Sequence, residues 1–189
     1  DAWGVDVAVG GSQKGLMTPP GLGFVAAGPR AKERHKTANL STSYWDWTFR
    51  DMEEHYRKYC GTPPVHLLFA LRKAMDMLLQ EGLKNIFRRH ALLAGATHAA
   101  VDVWRQSGAF DFNMTNPKQR SVSVTTLRLR EGLRPEPIRA FCFDNLGVTL
   151  GIGIGDLTGK AIRIAHMGHV NAPMMLGTLG SLEIALDVL

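Results

Sequence analysis

The sequence predicts an α/β fold. Two observations predict it: valine-rich segments that alternate apolar and polar side chains with a period of two, and two long segments with apolar residues at helical spacing. The first portion resembles the edge of a larger sheet, and the portion from about Leu83 onward resembles a compact sheet with helices on one side. The 189 residues are enough to bury a hydrophobic core.

The first portion is predicted to contain two strands around a glycine-rich loop. Residues 5–9 alternate and are rich in valine, which is typical of a strand, and we expect this strand to be buried. Two consecutive prolines within residues 18–21 prevent a helix after the loop. The other predicted elements are a loop over 10–15, a strand over 22–27, basic helical turns over 29–36 and an irregular aromatic segment over 39–59.

Two long helices are predicted next. Thr62 is expected to cap the first helix, with Pro63 in its first turn and Gly82 at its end. The second is predicted over about 83–107, with Gly108 ending it. The side chains predicted to face inward are Val65, Leu68, Phe69, Met75 and Leu79 on the first helix, and Ile86, Phe87, Leu93, Val101 and Trp104 on the second.

The rest of the chain is predicted to complete the compact sheet. Residues 121–130 alternate and read as a strand with one buried face. The two sets of side chains in that alternation are Val122, Val124 and Thr126 against Ser123, Thr125 and Arg128. Further elements are a helix over 135–145, strands over 148–154 and 161–165, and a closing helix over 172–189.

Composition argues against several classes of function. The net charge is +5, but the basic residues are scattered, and the densest basic cluster, residues 30–36, includes Glu33 and no aromatic residue, so we expect no nucleic-acid partner. No stretch approaches the roughly 20 apolar residues of a membrane span. The two cysteines, Cys60 and Cys142, lie far apart and outside any paired pattern, so we expect no disulfide framework and a cytoplasmic location.

Two residues are the main candidates for chemistry. Lys14 follows a predicted strand inside a glycine-rich loop, a place where α/β folds bind ligands, although a solvated loop lysine fits the same spacing. A nucleophilic lysine must lose its proton, which desolvation or nearby positive charge favours. Arg163 is predicted to point away from Ile162 and Ile164, and taken alone it fits an exposed strand arginine.

Several segments together carry a family resemblance. Residues 11–16, Gly-Ser-Gln-Lys-Gly-Leu, followed by Pro-Pro-Gly-Leu at 19–22, closely resemble the lysine loop of class V aminotransferases, which are fold-type I pyridoxal-phosphate enzymes. The resemblance is to the serine–glyoxylate and alanine–glyoxylate aminotransferase group, and it covers nearly the whole chain in the same order. It continues through Ser-Tyr-Trp-Asp-Trp at 43–47, Thr-Pro-Pro at 62–64, Thr-Gly-Lys at 158–160 and Arg-Ile-Ala-His-Met-Gly at 163–168.

The resemblance implies a cofactor, pyridoxal 5'-phosphate, and a role for each matching residue. Lys14 would form the internal aldimine and then move a proton between substrate and cofactor carbons. Gln13 would contact the cofactor phosphate, and Arg163 would hold the substrate α-carboxylate with its two-pronged guanidinium. Thr62 would reach the cofactor phosphate of the neighbouring subunit in a homodimer. The family's tyrosine two positions before this threonine is replaced by Cys60, so either Tyr59 substitutes or that contact is lost.

The resemblance also implies a domain organisation and an incomplete site. Residues 1–61 would be the C-terminal remnant of the cofactor-binding large domain, 62–82 an interdomain helix, and 83–189 the small C-terminal α/β domain. The family's aspartate for the cofactor ring nitrogen lies upstream of the lysine, whereas Asp6 does not match its position. We therefore expect the C-terminal half of an enzyme, with an N-terminal half missing.

The expected activity is transamination between a serine- or alanine-type amino acid and a small 2-oxo acid such as glyoxylate. The alternatives are a pyridoxamine–pyruvate aminotransferase, a lyase of the same fold, and a folded C-terminal fragment without catalysis. Other chemistry is disfavoured: residues 151–160 fail the phosphate-loop spacing, and His166 and His169 have no neighbouring ligand to complete a metal site. Cys142 is expected to be a buried structural thiol.

Overall fold

The computed structural model describes residues 2–189 and divides the chain into two compact units, which meet in the sequence between Gln80 and Glu81. No helix in the described part of the chain is long and apolar enough to cross a membrane. The predicted division into residues 1–61, 62–82 and 83–189 stays a prediction.

The first unit contains one hairpin and four helices. Strands β1 (Val7–Gly11) and β2 (Gly23–Ala27) pair antiparallel, with Val9 opposite Val25. Both strands were predicted, the first from its alternation, and both are present. The first strand lies two residues later than the predicted range 5–9 and includes two glycines that were assigned to the loop. The helices of this unit are α1 (Pro29–His35), α2 (Trp47–Arg50), α3 (His55–Tyr59) and α4 (Val65–Glu81), of which α2 and α3 lie in the segment predicted to be irregular.

The apolar side chains of this unit are largely uncovered, which corrects two predictions. The first strand is exposed rather than buried, with 78% of Val9 accessible. On α4 the buried residues are Ala74 and Leu78, whereas Phe69 is 72% exposed. Val65, Met75 and Leu79 of the predicted inward stripe are exposed as well. The physical reason is that periodicity predicts an apolar face but does not supply the layer that covers it.

Thr62 does not cap α4, contrary to prediction. The amide of Leu68 donates to the carbonyl of Pro64, so the helix begins at Val65, two residues after the position that a cap at Thr62 requires. The two prolines explain this, because Pro64 has no N–H to offer a capping hydroxyl. The amide of Val65 is already bonded to the carbonyl of Pro63 at 2.9 Å.

The second unit is built on a four-stranded antiparallel sheet. Its strands are β3 (Phe110–Phe112), β4 (Val124–Leu129), β5 (Gly151–Ile152) and β6 (Ala161–Ala165), in the spatial order β3-β4-β6-β5. Its helices are α5 (Leu83–Ser107), α6 (Pro135–Leu146) and α7 (Ala172–Val188). The predicted ends of α5 at Gly108 and of α4 at Gly82 are confirmed, both glycines having positive φ. Strand β3 was not predicted.

One hydrophobic core unites these elements. Leu127, Ile162 and Leu182 are completely buried in it, and Cys142 is buried as predicted. Two face assignments need correction. The buried face of β4 consists of Thr125 and Leu127, with Val122 exposed, and Phe87 of α5 also faces solvent. Thr125 can lie on the buried face because its hydroxyl has a hydrogen-bond partner there, the imidazole of His166.

Candidate active site

Lys14 lies in the loop between β1 and β2, and two buried hydroxyl residues hold this loop. The amide of Ser12 donates to the carbonyl of Leu22 at 3.0 Å, and the amide of Thr18 donates to the carbonyl of Ser12 at 3.1 Å. The Ser12 hydroxyl donates to the carbonyl of Pro19 at 2.9 Å. Since Ser12 and Thr18 are both buried, the loop has a fixed base. Sequence reasoning missed this role, although a serine and a threonine flanking a turn are a known signal for such bonds.

Lys14 and Gln13 stand together at the exposed tip of this loop. The carbonyl of Lys14 accepts from the amide of Met17, whose φ of 60° closes a tight turn. Within residues 2–189, Lys14 Nζ has neither a hydrogen-bond acceptor nor an ion-pair partner, which leaves the amine available. The Gln13 amide lies against Gly11, where a Cβ would come within 2.8 Å of its Oε1. The tip therefore offers one amine and one amide.

Asp6 is the acidic residue that precedes the lysine loop, and it is already engaged. Its two carboxylate oxygens accept from Nε and Nη2 of Arg30 at 2.7 and 2.6 Å. These hydrogen bonds lower the pKa of Asp6 below its usual value. Asp6 is therefore occupied by Arg30 in this structure, and its position does not match that of the family's aspartate.

Thr62 lies in the segment that leads into α4, within the same unit as the lysine loop. Gly21, at the end of that loop, has a φ of 138° and lies so close to Leu67 of α4 that a Cβ would come within 2.6 Å of Leu67 Cδ1. The loop therefore packs on the first turn of the helix that Thr62 precedes. Thr62 is exposed, and its predicted phosphate contact stays a prediction. Before it, Tyr59 ends α3 and Cys60 adopts a left-handed conformation.

Arg163 lies on β6 in the second unit, with its side chain opposite to Ile162 and Ile164 as predicted. It pairs with Gly151 on β5 and with Thr126 on β4. Its Nε donates to the carbonyl of Ile152 at 2.6 Å. In the part of the chain that the structure describes, its two terminal nitrogens have no acceptor, so they form a free fork that suits a carboxylate.

The turn that follows β6 is fastened to α5 by two residues that sequence reasoning missed. Nη1 of Arg89 donates to the carbonyls of Gly168 and Val170 at 2.9 and 2.8 Å. The other side of this guanidinium binds both carboxylate oxygens of Glu81, whose pKa is lowered by those bonds. His90 Nε2 accepts from the amide of Gly168 at 3.0 Å. The sequence signal for Arg89 and His90 was their position on α5 between Ile86 and Leu93, two residues predicted to face inward.

His166 is buried and has a structural role. Its Nδ1 faces the carbonyl of Val122 at 3.0 Å, so this nitrogen carries the proton, and Nε2 accepts from the hydroxyl of Thr125 at 2.9 Å. Burial lowers the pKa of His166, and the nearby His98 and His90 lower it further against the opposing effect of the Val122 bond. No cluster of metal-ligating side chains occurs among residues 2–189.

The structure brings Lys14 and Gln13 together, and it places Arg163 in the other unit with its guanidinium oriented by β5. Taken by themselves, Lys14 and Gln13 could offer pyridoxal phosphate an amine for its aldehyde and an amide for its phosphate. Arg163, in the other unit, has a guanidinium whose chemistry suits a carboxylate. A carboxylate free to face the ring nitrogen is not contributed by Asp6, the acid nearest in sequence to the loop.

Known proteins resemble this chain over nearly its whole length. The family model for class-V aminotransferases matches residues 1–160. The chain is 37% identical to the L-aspartate–glyoxylate aminotransferase of Paracoccus denitrificans over 188 residues, which cover 98% of this chain and 46% of that protein. It is also 37% identical to the serine–glyoxylate aminotransferase of Arabidopsis thaliana over 190 residues, again 98% of this chain and 46% of the relative.

A solved aminotransferase structure also resembles this chain in its fold. The pyridoxamine–pyruvate aminotransferase of Mesorhizobium loti superposes with a TM-score of 0.86 at 26% identity, covering 97% of this chain and 47% of that protein. The predicted fold, that of the fold-type I pyridoxal-phosphate enzymes, is confirmed. The chain spans about half the length of the curated relatives it matches. The family match, the sequence identity and the fold agree, and the chain belongs to the class-V aminotransferase family.

Proposed function

We propose that the protein carrying this chain is a pyridoxal-phosphate-dependent aminotransferase. It would move an amino group from a serine- or alanine-type amino acid to a small 2-oxo acid such as glyoxylate. The observation that carries this proposal is the placement of Lys14, with an unengaged amine, beside Gln13 at the tip of a loop whose base is fixed. The family membership and the names of the relatives support the choice of reaction.

Three residues of this chain would each have a defined task in that reaction. Pyridoxal phosphate, when bound, supplies the electron sink that stabilises negative charge on the substrate carbon. The Lys14 amine would hold the cofactor covalently and would also be the base for the substrate Cα proton. Gln13 would donate its amide N–H to a phosphate oxygen. The fork of Arg163 would bind the substrate carboxylate.

The proposed site would also need a carboxylate for the cofactor ring nitrogen, and among the described residues 2–189 Asp6, the acid nearest in sequence to the lysine loop, is occupied by Arg30. We infer that a further protein segment supplies the carboxylate for the cofactor ring nitrogen and covers the exposed valines of the β1–β2 hairpin. The partial coverage of the relatives supports this inference. Following the family resemblance, we also propose a homodimer in which Thr62 contacts the cofactor phosphate of the neighbouring subunit, and a cytoplasmic location.

The test is cofactor binding in the protein that carries this chain. With pyridoxal phosphate we expect the visible absorption band of a lysine-bound cofactor, and we expect Lys14→Ala to abolish it. Lys36→Ala is the matched control, because Lys36 is an exposed lysine of the same unit that pairs with Glu33. A band that persists in Lys14→Ala would show that the role assigned to Lys14 is wrong.

A second candidate reaction has a specific observation in its favour. The structural similarity to a pyridoxamine–pyruvate aminotransferase, at a TM-score of 0.86, points to pyridoxamine as an alternative amino donor. A panel of donors against glyoxylate and pyruvate separates the candidates: turnover with serine, alanine or aspartate supports the leading proposal, and turnover with pyridoxamine alone supports the second. Release of ammonia without an acceptor would indicate a lyase. A stable fold that binds no cofactor would indicate a non-catalytic fragment.

A further inference from the structure

Gly151 and Arg163 face each other on neighbouring antiparallel strands. They are a directly opposed pair of β5 and β6, so side chains at both positions would project from the same face of the sheet. A Cβ at Gly151 would lie 3.1 Å from both the Cβ and the backbone carbonyl oxygen of Arg163, and 3.6 Å from its Nε. The distance to the Cβ is shorter than ordinary contact between carbon atoms. A side chain at position 151 would therefore press on the backbone of Arg163 and on the stem of its side chain.

The same arrangement directs the guanidinium. Because Arg163 crosses β5 at the glycine, its Nε reaches the carbonyl of Ile152 and donates to it at 2.6 Å. Strand β5 is at the edge of the sheet, with β6 as its neighbour, so this short strand serves as the support for the arginine. With Nε engaged, the guanidinium keeps its two terminal nitrogens, and this edge can also bind a carboxylate through two parallel bonds.

The nearby Gly153 has a separate role. A Cβ at Gly153 would overlap the carbonyl oxygen of Leu157, so this glycine is required by the close approach of the loop that follows β5. Its own amide donates to the carbonyl of Ala161. The two glycines therefore act differently: Gly153 lets the chain turn, and Gly151 leaves room for Arg163.

We propose that Gly151 is a positioning residue that orients Arg163 toward the carboxylate of both substrates. The inference rests on the carboxylate role proposed for Arg163. In an aminotransferase the amino acid and the 2-oxo acid use the same carboxylate site in turn. A displaced guanidinium therefore weakens the binding of both substrates in parallel, whereas a general loss of fold lowers the amount of active enzyme.

The experiment compares Gly151→Ala with wild type in the pyridoxal-phosphate-loaded protein. We expect the KM values of donor and acceptor to rise together, by about 3- to 10-fold, with a much smaller change in kcat. Gly95→Ala is the matched control, because Gly95 is a glycine of α5 with open space around its Cβ position, and it should leave both KM values unchanged. Gly151→Val, with its larger side chain, should raise the KM values of donor and acceptor further.

A second measurement does not depend on turnover. Phenylglyoxal modifies free arginines, and mass spectrometry of the Arg163 peptide reports how well propionate, a carboxylate that cannot react, protects this residue. We expect protection in wild type at propionate concentrations that fail to protect Gly151→Ala. Equal protection in the two proteins would overturn the role of Gly151 and leave the proposed function standing. Absence of protection in wild type would overturn the carboxylate role of Arg163 and the inference that rests on it.

Discussion

The two units of the chain differ in how they bury their apolar side chains. In residues 81–189 a core of aliphatic and aromatic side chains joins the sheet to its helices, and Leu127, Ile162 and Leu182 are completely inaccessible. In residues 2–80 the buried apolar residues are Ala74 and Leu78. The first unit instead buries hydroxyl groups, Ser12 and Thr18, beneath its lysine loop.

The unit with the hydrophobic core is therefore not the unit that carries Lys14. The second unit carries its own hydrophobic driving force, since burial of apolar area is the main favourable term in folding. The first unit has local order at the lysine loop, maintained by hydrogen bonds that each contribute about 1 kcal/mol. The proposed catalytic lysine therefore lies on the unit that depends more on further protein surface.

Truncation of a core leucine should have the largest effect. Leu127→Ala should destabilise the second unit by about 2–5 kcal/mol, because it leaves a cavity among residues that cannot close around it. Val9→Ala in the first unit should change the free energy of unfolding by less than about 0.5 kcal/mol, since the side chain is exposed. Urea denaturation followed by circular dichroism and by tryptophan fluorescence measures both, since Trp104 lies in the second unit and the other three tryptophans lie in the first.

The same pair of variants tests whether the hairpin is covered in the larger protein. If a further segment packs on β1, Val9→Ala should become destabilising by about 1 kcal/mol in the full-length protein while Leu127→Ala keeps its cost. An equal and small effect of Val9→Ala in both contexts would argue against the proposed covering of the hairpin.

Loss of the Arg89 guanidinium should have the next largest effect. Arg89→Ala removes the donors to the carbonyls of Gly168 and Val170 and leaves Glu81 without its partner, at a cost of about 1–3 kcal/mol. Arg88→Ala is the control, because Arg88 is the exposed neighbour on the same helix. Denaturation midpoints at matched pH measure the difference. Equal midpoints for the two variants would contradict the role assigned to Arg89.

The buried His166 predicts a loss of stability in acid. Its pKa in the folded protein is below the ordinary 6.5, so below that pH the unfolded chain binds a proton that the folded protein does not. The contribution of the neutral His166 to the free energy of unfolding is therefore fully present above about pH 6.5. It is lost as the pH decreases below that value, by at most about 1.4 kcal/mol per pH unit. His98, whose pKa is lowered mainly by burial, acts in the same direction.

Two substitutions isolate the contribution of His166. His166→Gln keeps a donor for Val122 and an acceptor for Thr125 but does not titrate, so the slope of unfolding free energy between pH 7.5 and 5.5 should decrease. His169→Gln, at an exposed position three residues later, should retain the wild-type slope. If both variants keep the wild-type slope, the pH dependence comes from other groups.

The ends of helices and strands were more predictable from the sequence than the faces that these elements bury. The ends of α5 and β6 follow from glycine positions and from alternation, and the structure has them where they were predicted. The inward faces were less predictable: Phe69 and Phe87 have the apolar character of core residues, yet both are exposed. Spacing defines a stripe within one helix, but which stripe is covered depends on the other elements present.

In the candidate site too, the sequence identified the candidate residues better than the contacts that support them. Lys14, Gln13 and Arg163 were found because short motifs carry them in family order. Ser12, which supports the lysine loop, acts through a short-range hydrogen bond for which the sequence has a local turn signal. Arg89 and Gly151 instead act through a hydrogen bond and a close approach between segments farther apart in sequence. Those partners are determined by tertiary packing, which no local pattern describes.

The smallest predicted effect concerns two helix N-termini, one in each unit. Asn171 caps α7 through its side-chain oxygen, which accepts from the amide of Met174 at 3.0 Å, so Asn171→Ala should cost about 1 kcal/mol. Thr62→Ala should cost less than about 0.5 kcal/mol, because α4 begins at Val65. Urea denaturation at pH 7.5 measures both, and equal losses would restore Thr62 as a cap. Since Thr62→Ala leaves the helix intact, any weakening of cofactor binding in that variant reports on the proposed phosphate contact.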